Sequence, residues 1–142
     1  MKKLLIILLL VPSLSWGSMK TLNEILTIRD MSDPASVIYV AQRCAGLYAA
    51  GWDHIVDQNP TLAEDLLYGS QLLTYKASQL YKAPNLSSDE KLKEMIVASQ
   101  NFQKIYTDIF TENWISNGAY FEGTWVENDL TVCSEVLNIF SN

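Results

Sequence analysis

A single histidine, His54, and two cysteines, Cys44 and Cys133, are the only imidazole and thiol groups in the 142-residue chain. Zinc sites take three or four N, S or O donors. His54, flanked by Asp53 and Asp57, could supply two ligands with the Asp three residues on, and no second histidine exists to extend that incomplete pair, so no metal and no cofactor is expected. The same count excludes a di-iron bundle, which draws Glu-x-x-His from two helices. Without C-x-x-C-H there is no c-type haem attachment, and without C-x-x-C no thioredoxin-like redox site. G-x-S-x-G is missing too, so a Ser-His-Asp triad would have to recruit His54 from a place that no motif marks. Neighbouring acids such as Glu64 and Asp65 point to different helix faces, which leaves paired-carboxylate chemistry resting on residue counts alone. The chain reads as a non-enzyme.

Basic residues are sparse: ten Lys and Arg stand against sixteen Asp and Glu. Two of the ten, Lys2 and Lys3, precede an apolar run from Leu4 to Val11, and small residues follow at Ser15 and Gly17. That order is a secretory signal, with residues 1–17 removed. The apolar run falls well short of the roughly 20 residues that span a bilayer, and no cysteine follows it to carry a lipid. Stable membrane insertion after cleavage is not expected. The mature chain, 18–142, keeps eight basic and sixteen acidic residues, a net charge of −8. Its bases are scattered singly, which argues against nucleic acid, since phosphate binding needs clustered cations. It argues equally against an anionic membrane surface. With 49% hydrophobic and 18% charged residues, the chain can bury a core, and its length suits one domain.

What the sequence does have is helical periodicity, while no useful stretch alternates with period two. Thr21 to Asp30 predicts a short helix or ordered arm. Asp33 followed by Pro34 is an N-cap and an N1 proline, opening a long helix to about Val56. Asn59 and Pro60 repeat the device for a second, Thr61 to Lys82. Ser87 with Glu90 forms a capping box for a third, ending at Asn117-Gly118. A last helix runs from about Trp125 to Phe140. Long amphipathic helices with short connections predict an up-down four-helix bundle with the short N-terminal helix or arm appended.

In an exported chain, two cysteines form a disulfide; the alternative is two buried thiols packed as small apolar groups. Cys44 lies ten residues past Pro34 and Cys133 seven before Phe140. In antiparallel helices rising about 1.5 Å per residue, both sit at similar depth from the same end. Arg43 is the one charge between Pro34 and Trp52, and a guanidinium on so apolar a helix needs partners. Asp129, one turn before Cys133, is the expected partner, with Glu135 or Glu127 as substitutes. The alternative is an arginine that snorkels to the surface.

Among the aromatics, Trp52, Trp114, Tyr120, Phe121 and Trp125 cluster near helix ends or in the last linker. At one end of the bundle they would form a patch for a protein partner or small ligand, because aromatics dominate interface hot spots. Their plainer role is core packing. Behind the lysine-leucine leader, the segments YVAQRCAGLYAA and DLTVCSEV resemble those of small exported helical proteins of unassigned function from marine bacteria and their viruses. The resemblance spans two short blocks and implies no activity. The expectation is a periplasmic or secreted all-α protein that binds another protein or plays a structural part. The alternative is a carrier or sensor bundle holding an apolar small molecule between its helices.

Overall fold

Each long helix after the first turn of the chain begins where a short polar side chain can take up its orphan amides. In the computed structural model, which describes residues 19–142, the elements are α1 Leu22–Ile28, α2 Pro34–Ile55, α3 Pro60–Leu80, α4 Ser88–Asn117 and α5 Val126–Ser141. No strand occurs among the described residues. The expected signal peptide, 1–17, lies outside them.

Asp33 accepts a hydrogen bond from the Ala35 amide, and Asn59 from the Leu62 amide, each just ahead of an N-terminal proline. Ser87 and Glu90 close a reciprocal capping box at α4. Thr21 and Glu24 close another at α1, a motif written in the sequence as TLNE and the reason so short a helix has a defined start. Gly118, at φ 70°, ends α4 by sending its amide to the Trp114 carbonyl; residues with a Cβ pay a steric penalty there. α5 lacks a side-chain cap of its own, and Thr124 Oγ1 accepts from the Val126 amide instead.

The helices form an antiparallel bundle with α2 at its centre: α3, α4 and α5 all pack on it, and α1 lies on α5. This differs from a square in which each helix touches the next. α4 leans onto α2 and α3, and reaches α5 through the Tyr106 side chain. The cause is the small-residue face of α2. Ala41, Ala45 and Ala50 are fully buried, and Gly46 lets α4 come so near that an added Cβ would stand 2.6 Å from Phe102 Cβ and 2.7 Å from the Gln103 amide nitrogen. The Cys44–Cys133 disulfide, with Cα atoms 5.2 Å apart, fastens α5 to the same central helix across 89 residues of sequence. Closing a loop of that length is worth ~4–5 kcal/mol in the chain-entropy account.

α4 has 30 residues and α2 has 22. The His54 ring meets Phe110 edge-on, with centroids 5.3 Å apart, so the residues after Phe110 run on past the end of α2. At 1.5 Å per residue that overhang is about 10 Å long, and the linker from Gly118 to Trp125 folds back against it.

Gly46→Ala should therefore force α4 off α2 and lower stability by about 1–3 kcal/mol, the usual range for overpacking. Gly51→Ala is the control. Its Cβ would meet only the tip of Leu66, at 3.1 Å, and the gain in helix propensity, about 0.5–1 kcal/mol, should roughly offset that contact. Urea denaturation of both variants, with the disulfide intact, checks the contrast.

Candidate functional site: a buried ion pair and an aromatic pole

Two side-chain clusters stand out from ordinary packing. The first is sealed in the core, where Arg43, Tyr106 and Asp129 each have no solvent exposure. Arg43 Nη2 donates to Asp129 Oδ2 at 2.6 Å. The Tyr106 hydroxyl donates to the same oxygen at 2.6 Å and accepts from Arg43 Nε and Nη2 at 3.3 and 3.1 Å. Arg43 Nη1 donates to the Lys20 carbonyl, and the Leu22 amide donates to Asp129 Oδ1 at 2.7 Å. Tyr39, Tyr106 and Trp125 surround the guanidinium, each ring centroid 6.0 Å from it. No buried side-chain nitrogen or oxygen among the described residues is left without a partner.

The electrostatics follow from this enclosure. Burial opposes the charge on Arg43, but the Tyr106 oxygen and the Asp129 carboxylate outweigh it and raise the guanidinium further above its ordinary value. Burial, with Asp129 adding to it and Arg43 opposing, pushes the Tyr106 phenol well above its usual range, so it stays a neutral donor. A cluster so closed presents no face to a substrate. Its work is to hold four segments together: α2 through Arg43, α4 through Tyr106, α5 through Asp129, and the backbone leading into α1.

Tyr106 and the two backbone groups are absent from the sequence-based expectation for Arg43. The signal for them was the count of donors. A guanidinium carries five N–H groups, more than one carboxylate accepts, so an arginine on an apolar helix calls for further acceptors on the facing helices. A hydroxyl in the apolar stripe of α4 is the natural place to look.

The second cluster lies at the overhanging end of α4. Trp114 stacks on Tyr120, with centroids 4.7 Å apart and planes 18° from parallel. Tyr120 meets His54 edge-on at 5.1 Å, and Phe121 leans on Phe110 at 6.3 Å. Gln58 Nε2 donates to the Tyr120 hydroxyl at 3.2 Å, which pins the linker to the end of α2. The His54 Nδ1 faces the Ala50 carbonyl at 2.8 Å, and a carbonyl only accepts, so that nitrogen carries the proton. The histidine is thus a packed member of an aromatic pole. Among the described residues no group of three or more His, Cys, Asp or Glu is placed to hold a metal ion.

Of the five aromatics singled out by position, the structure brings Trp114, Tyr120 and Phe121 together. Trp125 turns inward to Tyr106, with centroids 6.0 Å apart, because it begins α5 directly above Asp129. Trp52 is half-buried on α2 and stands outside the ring cluster. His54 and Phe110 join the cluster unannounced, and the overhang that brings them in depends on the relative register of α2 and α4, which periodicity within one helix does not carry.

Fold and clusters together define a disulfide-stapled, all-α bundle with a polar clasp inside and an aromatic pole outside. No protein-family model, curated protein or solved structure matches the chain.

Asp129→Ala should leave Arg43 buried without its counter-charge and cost ~3–5 kcal/mol, more than the ~1–3 kcal/mol expected for Tyr106→Phe. The pair Arg43→Met with Asp129→Leu should recover only part of the loss, because the Lys20 carbonyl and the Leu22 amide then lose their partners. Urea denaturation midpoints order the three. Stability should also fall in alkali. Tyr106 is held above the phenol value of 10.0, and Tyr48, by burial, at about 12. A raised folded-state value means full stability below pH 10 and progressive loss above it. Thermal melts from about pH 10 to 12 should show the fall, and Tyr48→Phe should make it shallower.

Proposed function

We propose that the protein is a small exported module that acts by docking another protein, or as a structural element, through the aromatic pole. One observation carries this reading: Trp114 is 50% exposed and Ile115 78% exposed on the part of α4 that projects beyond α2. Isolated exposed apolar residues are ordinary, but a tryptophan stacked on a tyrosine is a rigid anchor of the kind that concentrates binding energy. The linker that supplies Tyr120 and Phe121 is tied down by Gln58, so the surface is preorganised and loses little freedom on binding.

Export is supported by the Cys44–Cys133 disulfide, since such bonds persist in oxidising compartments, together with the leader-like residues 1–17. Among the described residues no helix is long and apolar enough to cross a membrane. We place the protein in the periplasm or outside the cell.

A second reading, a carrier or sensor of apolar small molecules, is favoured by a groove of about 470 Å³ between α2, α3 and α4, where Leu67, Tyr75, Leu92 and Ile96 face Ser70 and Thr74. Its hydroxyls bond within the protein: Ser70 donates to the Ala45 carbonyl and Thr74 to the Ser70 carbonyl, each at 2.8 Å. The buried hydroxyls are thus already used, and the donors left to a ligand belong to the exposed Gln71, Tyr75 and Gln100 at the groove's lining.

Native mass spectrometry of the protein from the exported fraction separates the two. Docking predicts a complex with a second protein that disappears in a Trp114→Ala/Ile115→Ser variant of unchanged thermal stability. A monomer that retains a small molecule, in wild type and variant alike, would overturn docking in favour of the carrier.

A further inference from the structure

The chain contains no Lys or Arg from Cys44 to Tyr75, and none from Ile105 to Asn142. In the sequence these are unrelated gaps. In the fold they meet, because the second half of α2, the first half of α3, the second half of α4 and the start of α5 all lie at the end that carries the aromatic pole. Asp53 and Asp57 stand where α2 ends, and Glu64 and Asp65 in the first turns of α3. Asp108 and Glu112 lie on α4, Glu122 in the linker and Glu127 at the start of α5. All eight are exposed. Lys104, a turn before Asp108 on α4, and Lys20, whose backbone carbonyl meets Arg43 beside the start of α5, are the bases toward this end, whereas Lys82, Lys91 and Lys93 sit at the opposite end around the α3–α4 connection.

The only ion pair among the described residues is the buried one, Arg43 with Asp129. Among the described residues the acids of the pole thus form no ion pair. Asp53 takes a hydrogen bond from Gln103 Nε2 at 2.7 Å, and Glu122 one from the Phe121 amide at 3.3 Å. The side chains of Asp57, at the end of α2, and of Asp108 and Glu112, on α4, accept no hydrogen bond from another described residue. Asp108, Glu112 and Ile115 follow at i, i+4 and i+7, one face of α4, so Ile115 shares a face with two acids while Trp114 lies on the neighbouring one, and the acids flank the apolar pair on the Ile115 side.

We infer that the pole receives a lysine- or arginine-rich amphipathic segment of a partner protein, with its apolar side chains on Trp114, Tyr120 and Ile115 and its cations on Asp57, Asp108 and Glu112. The inference rests on the docking reading above and adds the partner's chemistry. Three features favour this occupant. Exposed acids outside any ion pair steer a cationic partner toward the surface and repel anionic ones, nucleic acid and anionic membrane included. A small organic cation would want an open aromatic box, but Trp114 and Tyr120 lie face to face at 4.7 Å and have spent their inner faces on each other. A second copy offers a poor match, since Lys82, Lys91 and Lys93 at its other end are interspersed with Asp89, Glu90 and Glu94.

The test uses the full mature, disulfide-bonded chain and three synthetic peptides of equal length, built on leucine with lysine, with serine or with glutamate. Binding is read by calorimetry and by the Trp114 indole N–H resonance. The leucine–lysine peptide should bind and move that resonance. Its affinity should drop about tenfold or more in high salt, as expected when several exposed pairs are screened. Asp108→Lys with Glu112→Lys should weaken it at least as much with the melting temperature unchanged, and Trp114→Ala should abolish it. Equal binding of the serine peptide, lost in Trp114→Ala, would overturn the cationic partner and leave docking standing. Lysine-peptide binding that survives Trp114→Ala would overturn the site, reducing it to bulk charge attraction. Silence of all three peptides would count against both readings. Concentration-dependent self-association that disappears in Asp108→Lys/Glu112→Lys would assign the pole to a second copy and overturn the inference.

Discussion

The structure depends on one buried charge. Arg43 sits in the middle of the helix on which every other long helix packs, and a guanidinium there is tolerable only if its donors and its charge are met on all sides. Asp129 meets the charge, Tyr106 and the Lys20 carbonyl take up further donors, and the remaining carboxylate oxygen holds the Leu22 amide. Packing alone would let α5 slide along α2 by a turn with modest loss. The clasp does not, because any other register strands a charge. The disulfide one residue away enforces the same alignment covalently, so the two devices reinforce each other: the bond limits how far α5 can stray in the unfolded chain, and the ion pair selects its register in the folded one.

Much of this was legible in the residues. Asp33-Pro34, Asn59-Pro60 and Ser87 with Glu90 mark three helix starts, because capping is a matter of a few neighbouring atoms and needs no tertiary context. The depth of Cys44 and Cys133 follows from counting residues along antiparallel helices, and Asp129 lies a turn from Cys133 for the same reason. Tyr106 is different. Its position in α4 marks it as inward-facing, but which inward residue meets Arg43 depends on how α4 crosses α2, and that is set by Gly46 admitting Phe102. The overhang of α4 is illegible for the same reason. Helix lengths can be read singly, whereas the offset between two helices is a property of their contact. The aromatic pole was thus visible as a set of residues near helix ends, and its membership was not: Trp125 went inward to the clasp, and His54 and Phe110 came in from α2 and α4.

The two clusters divide the labour between the halves of the chain's polar chemistry. Inside, the single ion pair is fully desolvated and fully bonded, so it gives alignment and leaves nothing for a ligand. Outside, the acids around the pole are unpaired and solvated, so they add little to stability and act at a distance. Three bases that might have balanced them, Lys82, Lys91 and Lys93, lie at the other end of the bundle. A chain selected only for solubility gains nothing from that separation, since interspersed charges serve as well.

The overhang supplies the last step. Had α4 stopped level with α2, Trp114 and Ile115 would be missing and the linker would close directly over His54. The extra two turns of α4 carry the anchor side chains outward among the acids, while Tyr120, held by Gln58, backs Trp114 from behind. Extending a helix beyond its supporting partner exposes apolar surface and sacrifices packing, a choice that natural sequences avoid unless the surface is used. The stapled core makes the extension tolerable, because α2, α4 and α5 are already tied together below it through Arg43, Tyr106 and Asp129. Rigidity in the clasp is thus what permits an exposed, preorganised surface at the pole.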